Sequence, residues 1–310
     1  MKLLALLCSV VFVAGIQSTP LYAVTRDGSR KIVLIAGSKS HGPGSHEYAK
    51  SVRLIKVLLD RSPNLKGLKI EIVYNGWPTD PSTLDTADTI VFASDGMKWL
   101  PWTFLPERVA ALKRAMDRGC GLMTFHFATY VPDKYAKLAL EWNGGYVKYD
   151  GGNPDRYSVY KTVTSDVLLP SPKHNVARGV HPFRIKEEFY YKAAFVPGRK
   201  GVVPLLRVPN LPLDPKTDSG PLAAPEDQVA VWAFKRKHGA RSIGATFGHY
   251  DASWTNNDYR KMILNAVIWT ARVKVPKDGV QSRYADDAEV ERVLGPTPAP
   301  ASSLLEPAKP

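Results

Sequence analysis

The sequence predicts an α/β fold in which helices cover both faces of a doubly wound, mostly parallel sheet, within a single domain. Short, continuously apolar segments alternate with amphipathic helices over about the first 130 residues. Continuous apolar runs are typical of strands buried on both faces, and strand–helix alternation favours parallel pairing through right-handed crossovers. Glycine-rich and polar segments follow several of these strands, as expected at the ligand-binding edge of such a sheet. We expect the flavodoxin-like strand order.

The first half of the chain contains the clearest elements. The predicted strands cover residues 31–37, 68–74, 89–96 and 121–128. A helix is predicted over residues 46–59, with Ser45 as its N-cap, because apolar residues recur there at helical spacing. A second helix is predicted over residues 106–118, with proline at its start and Gly119 after its end.

The second half gives weaker signals until its last helix. Residues 157–195 contain short strand-like runs and turn residues. Two strands are predicted at 228–234 and 242–247, joined by a basic turn, and an amphipathic helix at 257–273 closes the domain. Residues 276–310 are rich in proline and alanine and poor in large apolar side chains, which predicts a largely disordered tail.

The segment before the α/β domain, which we place at residues 31–275, has the composition of a signal peptide. Lys2 is followed by an apolar run over residues 3–16 and by small and polar residues up to Ala23, where we expect cleavage. The run is too short for an ordinary membrane-spanning helix, although an uncleaved anchor is the alternative. Residues 1–23 therefore predict a periplasmic or secreted protein without a membrane span after cleavage.

The chain is basic, with 42 Lys and Arg against 29 Asp and Glu and a net charge of +13, which favours anionic partners. The densest basic cluster, residues 235–241, lies between two predicted strands and indicates a solvated hairpin loop. Since no nucleic-acid motif accompanies it, we expect no specific nucleic-acid partner. Of the two cysteines, Cys8 lies in the predicted signal peptide, so Cys120 alone remains and cannot form an internal disulfide.

Histidines and carboxylates follow the predicted strands at their carboxyl ends. Because these ends face one cleft in a doubly wound sheet, we expect them to form a single ligand site. The candidate residues at these positions are His46, Ser94, Asp95, His126, His249 and Asp251. Each also has a structural alternative: His126 as a buried histidine bonded to a backbone carbonyl, His249 as an exposed turn residue, and the 46–47 pair as favourable charge at a helix N-terminus.

Three segments, taken in order, resemble the ThuA-like family associated with trehalose utilisation. They are the glycine-led strand 121–128 with its histidine, the segment 181–190, and the segment 248–256. The resemblance covers about residues 31–273 and implies a fold like that of class I glutamine amidotransferases and a role in carbohydrate metabolism, notably of sugars oxidised at a ring hydroxyl. It also implies His126, Glu188 and His249 as site residues, with Trp254 beside them. The chain departs from the family pattern after residue 145, where it has Tyr149 or Asp150 in place of a frequent histidine.

The residues exclude two familiar reactions. Glutamine hydrolysis needs a cysteine on the turn after the fourth strand, where this chain has His126, whereas Cys120 precedes the strand. No serine lies in a Gly-x-Ser-x-Gly turn. Two chemistries remain open: histidine and carboxylate acting as general acid and base, or His126, Glu188 and His249 holding a zinc-like divalent metal.

The leading hypothesis is an exported enzyme that cleaves, eliminates or isomerises a glycoside already oxidised to a keto sugar. A partner dehydrogenase is the expected source of such a substrate. The predicted catalytic residues are His46, His126, Glu188 and His249, and the predicted substrate contacts are Ser94, Asp95, Tyr130, Asp251 and Trp254. The alternative is a non-catalytic carbohydrate-binding domain that uses the same cleft. Binding of an anionic glycan or nucleic acid through positive charge ranks last.

Overall fold

Eleven strands and five helices form the part of the chain that the computed structural model describes, namely residues 28–148, 158–212 and 221–299. The strands, in chain order, are β1 (Arg30–Ala36), β2 (Leu68–Val73), β3 (Thr89–Ala93), β4 (Gly121–Phe125), β5 (Gly145–Tyr146), β6 (Val159–Val167), β7 (Phe183–Tyr191), β8 (Ala194–Phe195), β9 (Val202–Arg207), β10 (Val229–Lys235) and β11 (Arg241–Ala245). The helices are α1 (Tyr48–Asp60), α2 (Pro106–Asp117), α3 (Ala136–Asn143), α4 (Asn257–Thr270) and α5 (Asp287–Leu294). The predicted signal peptide lies outside the described residues.

The central sheet has seven strands in the order β2-β1-β3-β4-β11-β10-β9. The first five of these are mutually parallel. At one edge β10 pairs antiparallel with β11 and β9 pairs antiparallel with β10, so only β10 runs against the other six strands. The parallel part has the flavodoxin-like order, so the predicted fold class is confirmed. Two further pairs, β5 with β8 and β6 with β7, lie outside this sheet.

Both faces of the sheet are buried, as the continuous apolar runs predict. In β1, Ile32 and Leu34 face a core that includes residues of α1 and α4. Val33 and Ile35 face the opposite core, which includes residues of α2 and α3. All four side chains are fully buried, and each contributes roughly 1.5–3 kcal/mol through burial of apolar surface. The sheet is therefore a rigid platform for the loops at its edges.

The start of α1 differs from the prediction. The helix begins at Tyr48, and Glu47, not Ser45, occupies its N-cap position without a capping side-chain hydrogen bond. His46 has a positive φ of 50°, so it lies before the helix in a turn. Ser45 instead forms an isolated bridge with Tyr250. The prediction of Ser45 as the N-cap is wrong, because the pairing of Ser45 with Tyr250 determines the conformation of this loop and local capping preference does not.

The weak signals over residues 157–195 belong to a regular hairpin. Strands β6 and β7 each have nine residues and pair antiparallel along their full length. Buried and exposed residues alternate along β6 because only one face of this strand is covered. Its sequence therefore lacks the continuous apolar run by which the central strands are predicted. The hairpin brings β7 to the site described below.

The C-terminal prediction is wrong for residues 276–299, which are described and include α5. Asp286 caps this helix by accepting a hydrogen bond from the backbone N–H of Glu289 at 2.8 Å, and Val290 is buried. The buried Arg53 of α1 donates to the backbone carbonyls of Gly295 and Pro296. The polar composition of this segment does not indicate a helix, because a helix that packs through one apolar face needs only a few apolar residues. Residues 300–310 lie outside the described part.

The length and hydropathy of a helix decide whether it could span a membrane. Among the residues that the structure describes, no helix combines the length and apolar character needed to span a bilayer.

Candidate functional site

Five polar side chains converge at the carboxyl edge of the parallel strands. They come from the loop after β1, the ends of β3, β4 and β11, and strand β7, and they are His46, Asp95, His126, Glu188 and His249. These side chains are distant in sequence, and the sheet topology brings them together as the prediction requires.

Three histidines and one carboxylate form the centre of this cluster. His46 Nε2 lies 3.1 Å from His126 Nε2 and 3.1 Å from His249 Nδ1. Glu188 Oε1 lies 3.8 Å from His126 Nε2 and 3.7 Å from His249 Nδ1. All four atoms lie within 4.8 Å of one another, which is close enough to act on one ligand atom or to hold one metal ion.

His126 is held in the turn that follows β4, with a positive φ of 52°. Its Nδ1 lies 2.9 Å from the carbonyl oxygen of Thr246, which can only accept, so Nδ1 carries the proton and Nε2 offers a lone pair to the cluster. Burial, reinforced by the nearby His46, lowers the pKa of His126 well below its usual value. The residue is thus both a buried histidine bonded to a carbonyl and a member of the site.

Asp95 orients His46. The hydroxyls of Ser40 and Tyr48 donate to Asp95 Oδ1 at 2.6 and 2.5 Å, and His46 Nδ1 lies 3.2 Å from the same oxygen. With both hydroxyl protons directed at the carboxylate, His46 Nδ1 acts as a donor and leaves Nε2 with a lone pair. Ser94 and Asp95, predicted as substrate contacts, are both buried: Ser94 Oγ donates to the backbone carbonyl of Asp95, and the Asp95 carboxylate lies behind His46.

Glu187, which the sequence analysis did not single out, fixes the loop that carries His249. Its carboxylate accepts hydrogen bonds from the backbone N–H groups of His249 and Tyr250 at 3.0 and 3.3 Å and from the Ser253 hydroxyl at 2.5 Å. Complete burial raises the pKa of Glu187 to about 7, although these hydrogen bonds oppose the shift. Burial and the adjacent His46 lower the pKa of His249 to about 4.

Tyr190 is a second residue that the sequence analysis missed. Its hydroxyl lies 3.0 Å from His126 Nε2, and the two rings stack with centroids 4.8 Å apart. Tyr130 packs edge-on against the Tyr190 ring at 4.7 Å and is itself buried, so it supports this ring. Burial raises the pKa of Glu188, while a hydrogen bond with Tyr190 opposes the change.

Two other predicted substrate contacts lie elsewhere. Trp254, predicted as a substrate contact, is 1% exposed and packs against Phe125 and Tyr259. Asp251 lies near the rim and forms an ion pair with Lys50 at 2.5 Å. Sequence alone does not separate a core tryptophan from one that lines a cleft.

Two members of the cluster are fully buried and two are partly exposed. His126 and His46 are 0% and 2% exposed, whereas the side chains of His249 and Glu188 are 11% and 14% exposed. The ring of His41 lies 3.6 Å from that of His46 and adds an aromatic contact there. A ligand therefore approaches the buried histidines past Glu188 and His249.

Gly248 precedes His249 and should tolerate no side chain. Its φ is +123°, and a Cβ there would lie 2.4 Å from the ring of Phe125. We expect Gly248→Ala to lower the free energy of unfolding by about 2 kcal/mol or more, from backbone strain and overpacking together, measured by urea denaturation. Gly198→Ala is the control, because φ is +60° there but no atom lies within 4 Å. Equal losses in the two variants would contradict the steric part of the explanation.

Comparison with known proteins agrees with this architecture. The family model for ThuA, described as trehalose utilisation, matches residues 33–270. No curated protein matches the chain. Tyr149 and Asp150, where the chain departs from the family pattern, lie outside the described residues.

Two solved structures share the fold at low identity. A ThuA-like protein of Bacteroides uniformis is 17% identical with a TM-score of 0.53, over 78% of this chain and 91% of that one. A ThuA-like protein of Parabacteroides merdae is 16% identical with a TM-score of 0.54, over 83% of this chain and 98% of that one. With the match of the family model over most of its α/β domain, the chain belongs to the ThuA family of trehalose utilisation.

Proposed function

We propose that this chain is an enzyme that acts on a carbohydrate, cleaving, eliminating or isomerising a glycoside that carries a ring carbonyl. The observation that carries the proposal is the convergence of His46, His126, His249 and Glu188 at an edge where two of them are accessible. The family's description as trehalose utilisation supports a sugar as the substrate.

Glu188 is the residue best placed to move a proton. Its side chain is partly exposed, its pKa is raised by burial, and Tyr190 and His249 lie beside it. A ring carbonyl acidifies the adjacent C–H bond, so the Glu188 carboxylate can remove that proton as a base. The carboxylic acid formed can then protonate the glycosidic oxygen as its bond to carbon breaks, which returns Glu188 to its starting form.

The direct test is an NMR time course of the purified protein with a 3-keto-glucoside and with its unoxidised parent. We expect loss of the keto sugar alone, because only that compound has the acidified C–H bond. Saturable binding of either sugar without any change in its spectrum would instead identify a carbohydrate-binding domain. A chain that neither binds nor converts these sugars would reject the proposal.

We also propose that the enzyme works outside the cytoplasm, as a periplasmic or secreted protein. The proposal is supported by the composition of residues 1–23, with one cation, a short apolar run and small residues before Ala23. In a bacterial host, we expect the exported protein to have the mass of a chain that starts at residue 24. An intact mass for the whole chain in the cytoplasm would exclude this.

A further inference from the structure

The four central side chains have the spacing of ligands around one metal ion. Zinc bonds to nitrogen and oxygen are about 2.0–2.2 Å, so atoms at the corners of a tetrahedral site lie about 3.4 Å apart. Four of the six separations that join His46, His126, His249 and Glu188 are 3.1, 3.1, 3.7 and 3.8 Å, and all six are within 4.8 Å. Small movements of these side chains would bring all four atoms to bonding distance of one centre.

Two of these atoms face each other with lone pairs. The protons of His126 and His46 are directed away from the cluster, toward the Thr246 carbonyl and the Asp95 carboxylate. The two Nε2 atoms are therefore acceptors only 3.1 Å apart, and neither supplies a proton to the other. The Tyr190 hydroxyl lies 3.0 Å from His126 Nε2, and its single proton is shared with a hydrogen bond to Glu188. A cation between the two Nε2 atoms converts this repulsive contact into two favourable ones.

The groups behind the histidines match those that support metal ligands. A histidine that binds a metal usually donates its other ring N–H to a carboxylate or a backbone carbonyl, which fixes the tautomer and the ring orientation. In this chain His46 faces Asp95 and His126 faces the carbonyl of Thr246. A general base would need only one such oriented histidine, whereas here two are oriented toward one point.

We infer that His46 Nε2, His126 Nε2, His249 Nδ1 and Glu188 Oε1 form a binding site for one zinc-like divalent cation. Three imidazoles and one carboxylate favour zinc or a similar transition metal over Mg²⁺ and Ca²⁺, which prefer all-oxygen sites. The cation would lie behind the accessible edge formed by Glu188 and His249, where a bound cation can polarise a carbonyl oxygen. The inference rests on ligand geometry and not on the proposed reaction, and coordination through Oε1 leaves the second carboxylate oxygen of Glu188 to take the proton.

The test uses the full chain, stripped with a chelator and titrated with Zn²⁺ or Co²⁺. We expect one equivalent of metal per chain by elemental analysis after dialysis, and a Co²⁺ visible spectrum indicative of nitrogen and oxygen ligands. His126→Ala and Glu188→Gln should weaken binding at least 100-fold. His181→Ala is the matched control, because this histidine is highly exposed and pairs with Asp258 away from the cluster.

Further variants keep the inference testable if loss of a buried histidine disturbs folding. His249→Ala changes a partly exposed ligand, and Asp95→Asn changes only the support of His46, for which we expect a 10–100-fold loss of affinity. Circular dichroism establishes that each variant is folded. Absence of stoichiometric Zn²⁺ and Co²⁺ binding by the folded wild-type chain, or undiminished binding by folded His249→Ala and Glu188→Gln, would overturn the inference.

Metal binding and turnover are measured in separate experiments, so the cation site and the proposed reaction can each be rejected without rejecting the other. Stoichiometric metal without conversion of a keto sugar supports the cation site and leaves the proposed reaction without support. Conversion by chelator-stripped protein that binds no metal supports the reaction and overturns the cation site.

Discussion

Replacing Glu188 by glutamine should lower the rate of keto-sugar conversion by about 10²–10⁴-fold, the usual contribution of a general acid or base. Glutamine has nearly the same shape, but its amide neither accepts nor returns a proton at neutral pH. The rate is measured by the NMR time course described above. Sugar binding should change less than turnover, because the contacts of the cleft remain.

The matched control is Glu107→Gln, which neutralises an exposed glutamate in the first turn of α2. Its turnover should equal that of the wild type. If Glu188→Gln keeps wild-type turnover, the carboxylate does not move the proton, and its neighbour Tyr190 becomes the next candidate.

The second large effect should be on stability. Glu187→Ala removes the buried acceptor shared by three backbone N–H groups, those of Glu188, His249 and Tyr250, and by the Ser253 hydroxyl. Each buried group left without a partner costs about 1–3 kcal/mol, so we expect the free energy of unfolding to fall by about 3 kcal/mol or more. Urea denaturation measures the loss.

Glu107→Ala serves as the control for this measurement, since a surface substitution of this kind usually changes stability by no more than about 0.5 kcal/mol. The loss of unfolding free energy for Glu187→Gln should lie between those of Glu187→Ala and Glu107→Ala, because the amide oxygen still accepts one or two of the hydrogen bonds. A loss below 1 kcal/mol for Glu187→Ala would show that the His249 loop is held by other contacts.

The sheet and the general position of the site could be predicted from the sequence because both depend on short-range patterns. Burial on two faces produces continuous apolar runs, and polar residues at their carboxyl ends then mark the cleft. His126, at the end of such a run, follows from this pattern directly. His46 was predicted for the site although its helix was wrongly extended, because position in the loop mattered more than local conformation.

The sequence pattern alone leaves an assignment open where it holds two similar residues or an ambiguous one, and the family resemblance, not the pattern, selects Glu188. Glu187 and Glu188 are adjacent carboxylates on one strand, and strand geometry sends their side chains to opposite faces without saying which face meets the cleft. Once Glu188 is placed, the same period of two assigns Tyr190 to its face, so this residue could have been found. Trp254 is ambiguous because aromatic residues serve cores and sugar sites alike.

The contact between Arg53 and the carbonyls of Gly295 and Pro296 determines where a shortened chain can end. The family model stops at residue 270, which is also the last residue of α4. A chain cut there would leave the guanidinium group of Arg53, a residue that is 2% exposed in the intact protein, without two of its acceptors. We therefore expect a chain that ends at residue 270 to be less stable than one that ends after Pro296, and shortened chains should keep these residues.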